Sequence, residues 1–200
     1  MRTILAAAAV AFTAGPAFAA SLDVPSGTYN VDPSHASVVW KISHLGFSNY
    51  TALFDREGIS ATVELDAENV ANSTLSVTLN GLSIETLDPG EKDFNAEIES
   101  ARILNAAEFP EIVFTSTGIE ITSDTTAVIN GELTLNGQTH PFSLDTQLNG
   151  AGNHPMSGQP IIGVSAEGVL DRTVWGVDFL AGPIGTEVAV EIEAEFLLAE

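Results

Sequence analysis

Apolar and polar residues alternate along much of this chain with a period of two. Successive side chains of a β-strand point to opposite faces, so the pattern predicts strands that are buried on one face only. The predicted strands cover residues 37–43, 59–65, 74–79, 127–135, 138–148, 161–170 and 187–196. Half-buried strands are typical of antiparallel sheets, because parallel strands are covered on both faces.

Two glycine positions add detail to this pattern. Asn136-Gly137 lies between two alternating segments and predicts a tight hairpin, because a type I′ turn needs positive φ at both central residues. Gly131 lies inside the preceding strand and predicts a bulge or a tight bend there.

The segment "DPGEKDFNAEIESA", residues 88–101, has a different period and predicts one helix. Asp88 and Glu91 are spaced as a capping box, and Pro89 suits the first helical position. Residues spaced by four and three positions would form one apolar stripe. That stripe consists of Phe94, Ile98 and Ala101.

Many half-buried strands and one amphipathic helix define the expected fold class. We predict an all-β protein with one inserted helix, an antiparallel eight-stranded lipocalin-like barrel. Closure of the barrel would remove the exposed strand edges that otherwise invite aggregation. No linker or internal repeat divides the strand-rich region, so we expect one domain.

The first residues have the pattern of an export signal. Arg2 precedes an almost wholly apolar run over residues 4–14, and Gly15-Pro16 is followed by the small-x-small sequence Ala17-Phe18-Ala19. The apolar run is shorter than the about 20 residues that cross a bilayer. We predict a cleaved signal peptide over residues 1–19, a barrel domain over residues 20–200, and a periplasmic location.

Composition excludes several classes of function. The chain has 27 acidic and six basic residues, a formal net charge of −21, which opposes binding to nucleic acid. It has no cysteine, so disulfides, cysteine-ligated metals and thiol catalysis are excluded.

The histidines raise the question of a metal site. His35 follows a turn at Asp32-Pro33-Ser34 that is expected to lead into the first strand, and His44 lies nine residues further on. An odd separation places two residues on opposite faces of a regular strand, so His44 would point inward with Trp40. A bulge would be needed for one metal to bind both histidines. A metal-binding protein that uses His35 and His44 stays open as an alternative.

An enzyme is the other alternative. Hydrolysis by a serine nucleophile in an α/β-hydrolase would show a Gly-x-Ser-x-Gly turn, which this chain lacks. We therefore expect no enzymatic activity, although a small hydrolase or isomerase acting on an apolar substrate stays open.

Five stretches, in order, resemble the YceI family of secreted polyisoprenoid-binding proteins. The first is "YNVDPSHASVVWKISHLGFSNYTALF", which starts at Tyr29. It is followed by "EKDFNAEIESARILNAAEFPEIVFTST", "INGELTLNGQTHPFSL", "LDRTVWGVD" and "IGTEVAVEIEAEF". Together they extend from residue 29 to residue 196. The family often has a basic, histidine-containing helix at the insertion, where this chain has Asn95 and Glu97.

The resemblance implies a barrel that encloses an extended apolar chain. We then expect non-catalytic binding, sequestration or transport of a long-chain isoprenoid or similar amphiphilic lipid, or a quinone, with no other cofactor. Transient membrane contact would suit such a role, and a homodimer is left open. Because basic residues are scarce, we expect a neutral or weakly polar head group. The predicted ligand-binding residues are Trp40, Ile42, His44, Phe47, Phe94, Ile98, Phe114, Phe142 and Leu144.

Overall fold

The computed structural model describes residues 21–87 and 90–200, and these form ten strands and one α-helix. The strands are β1 (Gly27–His44), β2 (Ser48–Phe54), β3 (Ile59–Leu65), β4 (Thr74–Asn80), β5 (Ile84–Thr86), β6 (Glu111–Ile121), β7 (Thr126–Leu135), β8 (Gln138–Asn153), β9 (Pro160–Asp171) and β10 (Ile184–Leu198). The helix, α1, spans Phe94–Glu99. Short 3₁₀ turns occur at Arg56–Gly58, Val70–Asn72 and Arg172–Trp175.

The strands close into an antiparallel barrel through the pairing of β1 with β10. On its other side, β1 pairs with β3 through residues 27–30 and with β2 through residues 39–44. Strands β4 and β5 pair in turn with β3 and β2. Strands β2 and β3 therefore share one position in the wall, and β4 and β5 share the next. The wall has eight strand positions, which confirms the predicted eight-stranded barrel.

One end of the barrel is filled by side chains. Tyr29 is fully buried there against Leu65 and Phe196, and its hydroxyl donates a 2.8 Å hydrogen bond to the carbonyl of Pro25. Leu22 covers the same cluster, held by a bond from its amide to the carbonyl of Ala67. We call this the packed end.

The opposite end, which we call the mouth, carries the inserted segment between β5 and β6. The side-chain oxygen of Asn95 on α1 accepts hydrogen bonds from the amide of Thr86, at 2.8 Å, and from its hydroxyl. The helix thus covers the outer edge of β5, the last strand on that side of the wall. Among the described residues, no helix has the length and apolar character needed to cross a membrane.

The helix is shorter than predicted. It begins at Phe94, and the carboxylate of Asp93 caps it by accepting from the amide of Ala96. Glu91 precedes the helix and Ala101 follows it in an exposed turn, so the predicted capping box and the third stripe position are wrong. The other two cap residues, Asp88 and Pro89, lie outside the described residues.

The hairpin prediction is confirmed, whereas the bulge lies on the neighbouring strand. Asn136 and Gly137 have φ values of 51° and 72°. Between β6 and β7 the register shifts at residues 116–118, opposite Gly131. A Cβ at Gly131 would lie 2.5 Å from Cζ of Phe114, so glycine is required there by close ring packing.

The predicted turn at residues 32–35 lies within β1, which is one long strand. The pairing of β1 with β10 shifts register between Val31 and Ala36. The extra residues bulge outward. They still form the hydrogen bonds of a tight turn, because the carboxylate of Asp32 accepts from the amide and hydroxyl of Ser34.

Candidate ligand-binding cavity

A cavity of about 830 Å³ lies inside the barrel and opens at the mouth. Its volume falls in the range of about 300–1,000 Å³ that is usual for small-molecule sites. The wall is built by the inward-facing positions of the strands and by α1, and it is mostly apolar. The alternation recognised in the sequence produces this wall, because each strand turns its apolar face to the interior.

Eight of the nine predicted site residues line this cavity. They are Trp40, Ile42, His44, Phe94, Ile98, Phe114, Phe142 and Leu144. That these side chains contact a ligand stays a prediction. Phe47 is wrong as a lining residue, because it is 92% exposed in the turn between β1 and β2. The left-handed backbone of Leu45 and Gly46 carries the chain away from the interior at this point.

Aromatic rings form one side of the mouth. The ring of Tyr50 lies between Trp40 and Phe94, with centroid distances of 6.3 Å and 5.5 Å. Tyr50 is on β2, directly opposite Ile42 of β1. Sequence reasoning missed Tyr50 as a lining residue, although its even spacing within the hairpin register from Ala52 and Phe54, both buried, marks the inward face.

The polar lining residues are concentrated toward the mouth. They are His44, Ser48, Asn49, Tyr50, Thr51, Glu97 and Arg172. The carboxylate of Glu97 forms ion pairs with Lys92 and Arg102 on its own segment. The cavity is therefore amphipathic, with a polar entrance and an apolar interior.

Arg172 is the buried cation of the site, with only 6% of its surface exposed. Its guanidinium donates to four backbone carbonyls, those of Val177, Phe179, Ile184 and Gly185. Burial lowers the pKa of Arg172. Among the residues that the structure describes, no carboxylate forms an ion pair with it. Carbonyl dipoles and the nearby charges of Asp171 and Asp178 stabilise its positive charge, and the four hydrogen bonds fix the loop between β9 and β10.

The sequence pattern gave little indication of this role for Arg172. The residue was recognisable only as part of "LDRTVWGVD", the fourth stretch of the family resemblance. Its neighbours explain the stretch: the indole of Trp175 donates to the carbonyl of Leu133, and Gly176 has a left-handed φ of 72°. The segment around Trp175 therefore attaches the β9–β10 loop to β7 through a buried hydrogen bond.

A second cavity, of about 170 Å³, lies toward the packed end. Four residues line both cavities and therefore lie at the boundary between them. They are Val38, Val77, Leu144 and Ile192. The apolar interior therefore consists of a large outer chamber and a small inner one.

The two histidines of β1 are on different sides of the wall. His44 lines the cavity, whereas the side chain of His35 is 57% exposed on the outside. A metal site that uses His35 with His44 is therefore wrong, because the wall of the barrel separates them.

His35 instead lies 2.9 Å from the carboxylate of Asp32 and 3.7 Å from that of Glu195. The hydrogen bond to Asp32, reinforced by the charge of Glu195, raises the pKa of His35. The bonds from His35 and Ser34 lower the pKa of Asp32 to about 2. The ligand atoms of the three residues lie within 4.8 Å of one another, so together they could hold a metal ion on the outer surface.

This architecture, a small antiparallel barrel whose apolar interior opens at one end, is that of barrels with room for a single small ligand. The YceI-like domain model matches residues 29–196, and the chain belongs to this family. Protein YceI of Salmonella arizonae is 34% identical over 190 residues, which cover 94% of this chain and 92% of that protein. The same protein from Salmonella enteritidis has the same identity and coverage.

Solved structures share the fold. BcnA of Burkholderia cenocepacia superposes with a TM-score of 0.71 at 17% identity, over 82% of this chain and 98% of that one. A Campylobacter jejuni YceI protein gives 0.67 at 23% identity, over 80% and 91%. A polyisoprenoid-binding domain from Saccharophagus degradans, implicated in plant cell wall breakdown, gives 0.55 at 12%, over 86% and 98%. The predicted family and fold are confirmed.

Proposed function

We propose that the protein binds a long-chain isoprenoid or a similar amphiphilic lipid in its barrel and sequesters or transports it without chemical change. The observation that carries the proposal is the apolar cavity of about 830 Å³ with its polar mouth. An amphiphile matches this division, because its tail would occupy the interior and its head would remain at the entrance.

The energetics favour a carrier. Burying hydrocarbon contributes about 0.8 kcal/mol per CH₂ relative to water, so a long tail would be held firmly in solution. The same tail gains little relative to a bilayer, which is already apolar. The protein would therefore exchange its lipid with membranes.

The family and one structural relative support the ligand class. The Saccharophagus degradans domain with the same fold is described as binding polyisoprenoid. An unbranched or prenyl chain would suit a large apolar cavity that borders a smaller one along the barrel axis.

The head group is proposed to be neutral or weakly polar, as in a quinone or an isoprenoid alcohol. A diphosphate would need free cationic donors. Near the mouth, Lys92 and Arg102 are paired with Glu97. Four N–H groups of Arg172 already donate to backbone carbonyls. These three basic groups are thus already engaged.

Location follows from the leader, whose residues 1–19 lie outside the described residues. We propose that it is cleaved after Ala19 and that the remaining domain functions in the periplasm. Amino-terminal sequencing of the protein recovered from a periplasmic fraction would test both points, and an intact Met1 would contradict them.

The central experiment is extraction of the protein, purified from its host, with organic solvent and mass spectrometry of the extract. We expect a neutral isoprenoid lipid. A co-purifying prenyl diphosphate would contradict the head group, and an extract free of lipid would overturn the function. Conversion of the bound lipid during incubation would instead favour an enzyme.

A further inference from the structure

The rim of the mouth exposes large apolar side chains. Leu45 and Phe47, in the turn between β1 and β2, are 52% and 92% exposed. Leu87, after β5, is 72% exposed, and Leu180, in the β9–β10 loop, is 50% exposed. Leu87 and Leu180 also line the cavity, and His44 and Ser48 on either side of the first turn do so too. The exposed apolar side chains therefore border the polar entrance of the cavity. We call Leu45, Phe47, Leu87 and Leu180 the apolar rim.

The backbone holds two of these side chains in an unfavourable conformation. Among the described residues, four that are not glycine have positive φ: Leu45, Asn105, Asn136 and Leu180. Asparagine adopts this region readily, whereas leucine is rarely found there. Both leucines are exposed at the rim, so neither conformation is compensated by burial of its own side chain. Backbone strain of this kind is concentrated at functional sites.

Hydrogen bonds hold the β1–β2 turn and the β9–β10 loop in place. The amide of Leu45 donates a 3.0 Å hydrogen bond to the carbonyl of Pro183, which ties the first turn to the β9–β10 loop. Arg172 holds the same loop through the carbonyls of Phe179 and Ile184. The exposed leucines are therefore presented by a fixed framework.

We propose that the apolar rim inserts into the outer acyl region of a phospholipid bilayer and places the cavity mouth against the lipid chains. The proposal rests on the proposed function, since it gives the bound lipid a route between cavity and membrane that does not pass through water. Phenylalanine and leucine are residues that bury in the boundary between head groups and acyl chains.

A second copy of the chain is a poorer partner for this surface. A stable interface buries about 800 Å² on each partner, which is more than four separate side chains provide. The formal net charge of −21 also opposes the approach of two copies.

The charges near the rim indicate which membrane would bind. Lys92 and Arg102 are offset by Glu91, Asp93 and Glu97 on the same segment. Without a basic surface, insertion must rely on burial of apolar side chains. We therefore expect the protein to bind a membrane of zwitterionic phospholipid. Binding should then be insensitive to salt, because screening acts on charges.

Flotation with phosphatidylcholine vesicles tests the proposal. The test variant is Leu45→Ser with Phe47→Ser, two rim residues that do not line the cavity, and the matched control is Met156→Ser, which removes an apolar side chain that is 90% exposed in the β8–β9 turn at the packed end. We expect the double variant to lose at least about tenfold in vesicle affinity, since each buried side chain of this size contributes more than about 1.5 kcal/mol. The control should bind like the unmodified protein at low and high salt.

Phe47→Ser alone serves if the double variant does not fold, because so exposed a side chain makes little contribution to packing. Equal vesicle binding by test and control variants would overturn the proposal. So would absence of binding by the unmodified protein, or self-association that the rim variants abolish. The solvent extract of the unmodified protein reports separately on the proposed function: retained lipid with no vesicle binding by that protein would reject only the docking surface.

Discussion

The ring of Phe94 packs edge-on against the ring of Tyr50, with the centroids 5.5 Å apart and the planes at 75°. Phe94 begins the inserted helix and Tyr50 belongs to the barrel wall. This contact and the hydrogen bonds of Asn95 to Thr86 attach the helix to the mouth as part of its wall.

Phe94→Asp is expected to abolish lipid retention. The change places a carboxylate in the apolar wall and removes the aromatic contact with Tyr50, while leaving the barrel strands intact. Lipid recovered by solvent extraction per mole of folded protein is the measurement. Ala96→Asp, on an exposed position of the same helix, is the control and should retain lipid. A folded Phe94→Asp protein that carries normal lipid would show that the helix does not line the binding site.

Val77→Phe is expected to shorten the lipid that the protein carries. Val77 is one of the four residues that line both chambers, so a larger ring there would obstruct passage to the inner chamber. The measurement is the chain-length distribution of the extracted lipid. Ser76→Phe, which adds the same ring at the preceding exposed position, should leave the distribution unchanged. An unaltered distribution in Val77→Phe would mean that the ligand ends in the outer chamber.

Gly131→Ala is expected to destabilise the fold by about 1–3 kcal/mol, the usual effect of overpacking. Its new methyl group would lie 2.5 Å from both Cζ of Phe114 and the carbonyl oxygen of Thr115, and the latter cannot rotate away. Gly118→Ala is the control, because a Cβ there meets nothing within 4 Å. Urea unfolding measures both. Equal midpoints would contradict the close packing.

Arg172→Lys is expected to cost at least about 2 kcal/mol in the free energy of unfolding. A lysine ammonium cannot reach four carbonyls in fixed directions, and each carbonyl left unpaired in a buried site costs about 1–3 kcal/mol. Hydrogen exchange should also increase in residues 177–185. Arg56→Lys is the control, since that side chain is exposed and donates to the carbonyl of Ser34 at the surface. Unchanged exchange in the β9–β10 loop would contradict the role of Arg172.

Asp32→Asn is expected to lower the pKa of His35, which Asp32 and Glu195 raise above the ordinary histidine value of 6.5. The contribution of a raised histidine pKa to stability is present below that ordinary value and is lost as pH rises through the pKa of the folded state. The contribution of Asp32 has the opposite sign: it is present above 3.8 and is lost as pH falls toward about 2. An NMR titration of His35 measures the first effect. Asp145→Asn, on β8, should not move it; identical titrations in Asp32→Asn and the unmodified protein would contradict the pairing.

The alternating strands were predictable because one face of each must be buried. Strand β3 matches its predicted bounds, and β4 differs by one residue. Strand β1 was predicted too short, because Asp32 and Pro33 are typical of turns and the local pattern cannot show that a bulge accommodates them within a strand. Strand β5 has only three residues, too few for a period to be recognised.

The wall of the cavity was more predictable than its entrance. Trp40, Ile42 and His44 alternate along β1, so their shared face follows from the period. The inward position predicted for Phe47 is wrong, because the positive φ of Leu45 redirects the chain. A leucine does not indicate such a backbone conformation in a sequence. The role of Arg172 depends on carbonyls from a loop that folds back over it, which is a tertiary arrangement without a local pattern.

The pairing of β1 with β10 determines when, during synthesis and folding, the cavity can first enclose a ligand. The strand near the start of the chain pairs with the one near its end, from Tyr29 with Leu198 to His44 with Ile184. Contacts between such distant parts of a chain are slow to form, because a large loop must close first. The chamber has no complete wall until the last strand has docked. The proposed lipid could therefore be enclosed only after β10 has been synthesised and has docked, and a chain that lacks β10 would have no closed chamber.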